Sequence, residues 1–178
     1  NYIEGLFLSS AVDGSPDATM ERMLETVIKL RKVYNFNGYI HLKGIPKADR
    51  LLTSRAAQYV DRMSYNVELP SERSLKLLAP QKSKESVLLP MKQLATEKRA
   101  FAEDTAKKKP RFLPAGQTTQ MIIGASPEAD GQILRLSEAM YKKFSLKRVY
   151  FSSYIPVVRH SMLPDKTAGL LREHRLYQ

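Results

Sequence analysis

Residues 117–124 read QTTQMIIG, and residues 125–128 continue ASPE. Four hydrogen-bonding side chains open a short apolar run, which ends at a glycine and a small-residue turn that leads into a helix. A parallel strand covered by helices on both faces would be apolar throughout. Side chains alternate along a strand, so Thr118 and Gln120 share one face while Thr119, Met121 and Ile123 share the other. The stretch therefore reads as a strand with helices on one side and a polar space on the other.

The same alternation recurs on either side of it. In GYIHLKG (38–44), Ile40 and Leu42 oppose Tyr39, His41 and Lys43; in MSYNVEL (63–69), Met63, Tyr65, Val67 and Leu69 oppose Ser64, Asn66 and Glu68. Phe151 and Ile155 likewise oppose Ser152 and Tyr154. Five strands are predicted, at Tyr2–Ser9, Tyr39–Lys43, Met63–Leu69, Thr118–Gly124 and Arg148–Ile155. Amphipathic segments separate them, at Pro16–Val33 with Ser15 as its cap, Asp49–Val60, Ser71–Leu78, a long one from Ser83 that Pro90 should kink or interrupt, and Pro127–Phe144. Strand and helix in alternation predict an α/β fold with a parallel sheet. Among such folds the one-sided polarity favours a partial TIM-type (β/α) barrel over an open doubly wound sheet. The polar faces would then line a shared interior, with ligands at the carboxyl ends of the strands. Lys43 and Glu68, on adjacent strands, are expected to pair with each other or to share a charged ligand, because an unpartnered buried charge is costly.

The chain of 178 residues is 43% hydrophobic and 26% charged, the composition of one globular domain, here 1–178. Strand-helix units occupy 1–156, and 157–178 reads as a loop and the start of a C-terminal helical extension. The chain begins without methionine in a strand-like run and stops inside a helical pattern, NYIEGLFLSS and GLLREHRLYQ, which reads as a piece of a longer protein. Net charge is +11, and basic residues outnumber acidic ones between Arg73 and Arg111. Lys107, Lys108, Lys109 and Arg111 make this stretch a candidate contact for a polyanion, with a solvated helical face as the alternative. AKKKPRFLPAG (106–116) is also the best candidate for a mobile excursion. No cysteine is present, so neither a disulfide nor a cysteine-ligated metal can be built from this chain. No apolar run is long enough to span a membrane and no signal pattern is visible, which predicts a cytoplasmic location. His41 reads as a satisfied core histidine, since His160 and His174 lie in the C-terminal tail. No P-loop, dinucleotide fingerprint or Ser-His-Asp arrangement occurs.

Several segments together resemble radical S-adenosylmethionine (radical SAM) enzymes. TTQMIIGASPEAD is similar to their fifth-strand segment, MSYNVELPSERSLKLLAP to the fourth strand and the helix after it, and GLFLSSAV to the end of the second. With FNGYIHLKGIP, LKRVYFSSYIPV and LLREHRLYQ, the chain resembles most closely the DNA modification/repair radical SAM proteins. The resemblance implies strands two to six of a (β/α)6 barrel that binds S-adenosylmethionine. In that family a [4Fe-4S] cluster on a three-cysteine loop, served by an electron donor, cleaves the cofactor to a 5′-deoxyadenosyl radical. The first strand and the cysteine loop have no counterpart here, so the cluster's ligands would lie outside this chain and the chain alone would be inactive. Carried over by position, Ser9 and Ser10 would face the methionine amino group, Asn66 and Glu68 the ribose or methionine moiety, and Ile123 and Gly124 the adenine. Lys43 would face the methionine carboxylate, with Gln120 in the same cavity. A radical SAM enzyme for another substrate class and a non-catalytic barrel binding module are the competing expectations.

Overall fold

In the computed structural model, residues 3–105 and 111–178 are described. The strands are β1 (Gly5–Leu8), β2 (Tyr39–Lys43), β3 (Arg62–Ser64), β4 (Gly116–Ile123) and β5 (Arg148–Ser153). The helices are α1 (Pro16–Lys32), α2 (Arg50–Ala57), α3 (Glu72–Leu78), α4 (Lys84–Glu103), α5 (Asp130–Phe144) and α6 (Leu170–Tyr177). The five strands form one sheet in the order β1-β2-β3-β4-β5, and every pairing is parallel. The order never reverses, so right-handed crossovers carry the connecting helices to one side. Burial agrees with this: Ile40, Leu42, Met63, Met121, Ile123, Val149 and Phe151 share one core with Met20, Leu24 and Val27 of α1, Met91 and Leu94 of α4, and Ile133 and Met140 of α5. The opposite face keeps its polar side chains.

Local signals set most boundaries. Ser15 Oγ accepts from the Ala18 amide at 3.1 Å with Pro16 at the first helical position, and Asp49 Oδ1 caps α2 through the Leu51 amide at 2.7 Å. Other boundaries depart from the sequence reading. Pro90 does not interrupt α4, which runs unbroken across it. Proline removes one backbone bond there, and the continuous buried face of Val87, Met91, Leu94 and Ala95 holds both halves in one helix. Helix α5 starts at Asp130 rather than Pro127, because Glu128 is turned inward to accept hydrogen bonds from the Ser71 and Ser74 hydroxyls. Helix α2 ends at Ala57, and the Tyr59 carbonyl beyond it is taken by Arg31 Nε at 2.9 Å. Strand β1 begins at Gly5, and Tyr2 lies outside the described residues. The expected strand Met63–Leu69 is regular only as far as Ser64.

The irregular part is a bulge. Ser64 stands opposite Thr118, whereas Glu68 stands opposite Met121, so four steps along one strand face three along the other. Thr119 fills the gap: its hydroxyl donates to the Tyr65 carbonyl at 2.8 Å and accepts from the Val67 amide at 3.0 Å. Glu68 completes the turn with a positive φ of 64°.

At the opposite, amino-terminal edge the sheet is tied by Asp61. Its carboxylate accepts from the Ile40 amide at 2.8 Å, from Arg31 Nη2 at 2.7 Å and from Arg111 Nη2. Its backbone amide donates to the Ile40 carbonyl at 2.9 Å and its carbonyl accepts from the Ala115 amide at 2.9 Å. Besides the Tyr59 carbonyl, Arg31 also donates to the carbonyls of Phe36 at 2.6 Å and Gly38 at 2.8 Å. The stretch 111–113 is not a solvated excursion, because Phe112 and Leu113 are buried and Phe112 stacks on Phe101 with ring centroids 4.5 Å apart.

Asp61→Ala should destabilise the protein by about 3–5 kcal/mol, since it strands the buried Arg31 guanidinium without its counter-charge. Urea unfolding followed by circular dichroism measures this. A destabilisation below about 1 kcal/mol would remove Asp61 as the anchor of this edge.

Candidate functional site

The polar face is built by register. Phe7 stands beside His41, His41 beside Arg62, Lys43 beside Ser64, Ser64 beside Thr118, and Gln120 beside Tyr150. Neighbours in a parallel ladder point to the same side, so these side chains converge. They enclose a cavity of about 190 Å³ lined by Phe7, Ser9, His41, Lys43, Ser64, Asn66, Thr118, Thr119, Gln120 and Tyr150. No carboxylate is among them. Ser9, Lys43, Asn66 and Gln120 of the predicted cofactor residues thus meet in one place.

The other predicted residues do not. Ser10 is exposed, with its hydroxyl bonded to the adjacent Ala11 carbonyl at 2.7 Å. Glu68 does not reach Lys43: the bulge takes it out of the Ser64–Asn66 alternation, and Lys82 Nζ bonds its carboxylate at 3.1 Å. Ile123 is fully buried in the helix-side core. Gly124 has a φ of 88° and packs so tightly on Ala168 that an added Cβ would lie 2.1 Å from that residue's Cβ, so glycine is required for packing there. Arg111 is paired with Asp61 at the amino-terminal edge of the sheet. Lys107, Lys108 and Lys109 lie outside the described residues.

Two residues that line the cavity, His41 and Tyr150, and one beside it on the same face, Arg62, were given no site role by the sequence. His41 is half-buried on the polar face, with Nε2 3.0 Å from Ser64 Oγ and its ring edge-on to Phe7 at 4.8 Å between centroids. Arg62 stands next to it in the ladder, at the start of β3, with its guanidinium carbon 5.8 Å from the centre of the Tyr39 ring. Tyr150 forms the far wall. The alternation in YIHLK placed His41 on the polar face but gave it no role, whereas Arg62 lies just before the predicted strand and gave no periodic signal.

Burial, with the Arg62 guanidinium beside it, pushes the His41 imidazole from 6.5 down to about 4. The ring is therefore neutral at pH 7 and can donate or accept one hydrogen bond. At the carboxyl end of the sheet, Glu128 tethers the loop after β4 to the start of α3. Burial there works to raise its carboxyl pKa, but donors from Ser126, Ser71 and Ser74 outweigh it and hold the group below the usual carboxylate range.

Among the described residues no cluster of three or more histidines and carboxylates could hold a metal, and no helix is long and apolar enough to cross a membrane. Comparison with protein-family models, with curated proteins and with solved structures finds no match to this chain.

His41 should titrate near 4 by NMR, and Arg62→Gln should raise that value because a neighbouring cation is removed. An imidazole held below its unfolded pKa binds fewer protons folded than unfolded, so its contribution to stability is full above about 6.5 and falls away as the pH drops toward 4. In His41→Asn this part of the acid sensitivity should be absent.

Proposed function

We propose that this sheet is part of a (β/α) barrel whose polar face binds S-adenosylmethionine, as the core of a radical SAM enzyme that modifies or repairs DNA. The observation that carries the reading is the convergence of Ser9, Lys43, Asn66 and Gln120 on one carboxylate-free cavity. These residue types fit the ligand. Lys43 has no ion pair among the described residues and offers a cation to the methionine carboxylate. The Ser9 hydroxyl is an acceptor for the methionine amino group, and the amides of Asn66 and Gln120 can pair with ribose hydroxyls or the adenine edge. When bound, S-adenosylmethionine supplies an adenosyl group for radical chemistry. The chain's own contribution is to bind the cofactor, to orient it and to shelter it from water on a sheet made rigid by its helices.

The cluster does not fit these residues, because the chain has no cysteine and the described residues hold no alternative metal set. The choice of DNA as substrate rests on the basic excess that includes Lys107, Lys108 and Lys109, together with the family resemblance.

Titration calorimetry with S-adenosylmethionine tests the cofactor assignment. Asn66→Ala and Lys43→Gln should each weaken binding by about tenfold, the effect of removing one hydrogen bond to a charged or fixed group. Glu68→Gln should leave it unchanged, since Glu68 is engaged with Lys82 outside the cavity. Equal affinities in all three variants and the wild type would refute the site. For the DNA assignment, replacing Lys107, Lys108 and Lys109 by alanine should weaken binding across sequences. It should also reduce the dependence of log K on log salt by roughly one unit for each phosphate that the lysines no longer neutralise. An unchanged slope would show that these lysines are solvated surface.

A further inference from the structure

Arg62 is a cation without a counter-charge. Its Nη1 donates to the Tyr150 hydroxyl at a long 3.4 Å, and its guanidinium lies over the Tyr39 ring. Its Nε is enclosed by protein and has no hydrogen-bond partner. No carboxylate pairs with it among the described residues, and the adjacent Asp61 is already engaged with Arg31 and Arg111. A second guanidinium, Arg148, lies 5.7 Å from the centre of the Tyr150 ring, and it too has no ion pair among the described residues. Its neighbour in the ladder is Thr118, which places it on the same polar face. Two guanidiniums thus contact one tyrosine, Arg62 at its hydroxyl and Arg148 at its ring, on a face where no carboxylate lines the cavity. Arg62 Nε faces protein and is closed to a ligand, but its Nη groups make only that one long bond and neither guanidinium has a counter-charge among the described residues, so the pair points to an anion with several acceptor oxygens.

We propose that Arg62 and Arg148, both in contact with Tyr150, form a binding site for the phosphate group of a nucleotide. The forked donors of arginine match phosphate oxygens two at a time. The rings of Tyr39 and Phe7 on the same face, 39% and 58% exposed, offer stacking surface for the attached base or sugar. A free carboxylate ligand would satisfy the charge but would leave those rings unused. The site uses the same polar face as the proposed cofactor cavity, but none of its residues belongs to the set assigned to S-adenosylmethionine.

The test is titration of the purified protein with thymidine 5′-monophosphate and, separately, with thymidine. The monophosphate should bind at least tenfold more tightly than the nucleoside. Arg62→Gln should weaken monophosphate binding by about tenfold to a hundredfold, the effect of removing a charge-assisted hydrogen bond, and Arg62→Lys should fall between the two. Arg148, being exposed, provides the second variant: Arg148→Gln keeps the test open if Arg62→Gln fails to fold, and it should weaken the monophosphate and leave the nucleoside unaffected. Equal binding of thymidine and its monophosphate, or undiminished monophosphate binding in the folded arginine variants, would overturn the proposal. S-adenosylmethionine titrated in parallel separates the two readings, because its failure to bind the wild type would sink the cofactor assignment and leave the phosphate result standing.

Discussion

The rest of the structure depends on the carboxylate of Asp61. It receives the Ile40 amide, Arg31 and Arg111, while its own backbone bonds to Ile40 and Ala115. One residue thereby joins the starts of β2 and β3, the approach to β4 and the last turns of α1. A carboxylate this enclosed is tolerated only with its charge met and its lone pairs filled. Once it is fixed, the three central strands are held in register at their amino-terminal ends, and the direction in which every side chain of the polar face points follows from that register.

The carboxyl end of the same strands obeys a different constraint. Thr119 bridges the two sides of a bulge and lets the chain after β3 step out of alternation. Asn66 stays with the cavity and Glu68 leaves it for Lys82. A face with Lys43 and Glu68 side by side would have neutralised itself. With Glu68 removed, the cavity and its surroundings carry Lys43, Arg62 and Arg148 with no acid among the lining residues, and this excess of positive charge suits it to anionic ligands. Tight packing supports the arrangement from behind: the Tyr65 ring passes so close to Gly44 that any side chain there would collide with it, since an added Cβ would lie 2.2 Å away.

The outer edge of β5 shows how the sheet is finished on that side. The amides of Val149, Phe151 and Ser153 donate to the Tyr141 hydroxyl at 3.0 Å, the Tyr177 hydroxyl at 2.7 Å and the Glu173 carboxylate at 2.8 Å. Side chains from α5 and α6 thus take the place of a neighbouring strand, and an edge occupied in this way is protected from pairing with another chain. Arg172, held to Asp130 at 2.6 Å and to the Glu128 carbonyl at 2.6 Å, fastens α6 where its tyrosine and glutamate can do this.

The sequence by itself determined the alternation. Ile40 and Leu42 against His41 and Lys43, and Met121 and Ile123 against Thr118 and Gln120, are local patterns of period two that set one apolar and one polar face, while the alternation of strand and helix set the parallel pairing. The Ser15 cap was equally legible, because the capping bond spans only three residues. Only the tertiary structure decided what depends on partners distant in sequence. Gln117 and Thr119 open their strand as polar residues much like Thr118 and Gln120, yet Gln117 turns away to the Met91 carbonyl of α4 at 3.0 Å and Thr119 to the bulge. The alternation encodes the face each takes, but nothing within the segment encodes these partners. Arg62 and Glu68 exchange their expected importance for the same reason: a one-residue bulge and a carboxylate saturated by two distant arginines set which charges remain free, and both arise from interactions across the sheet.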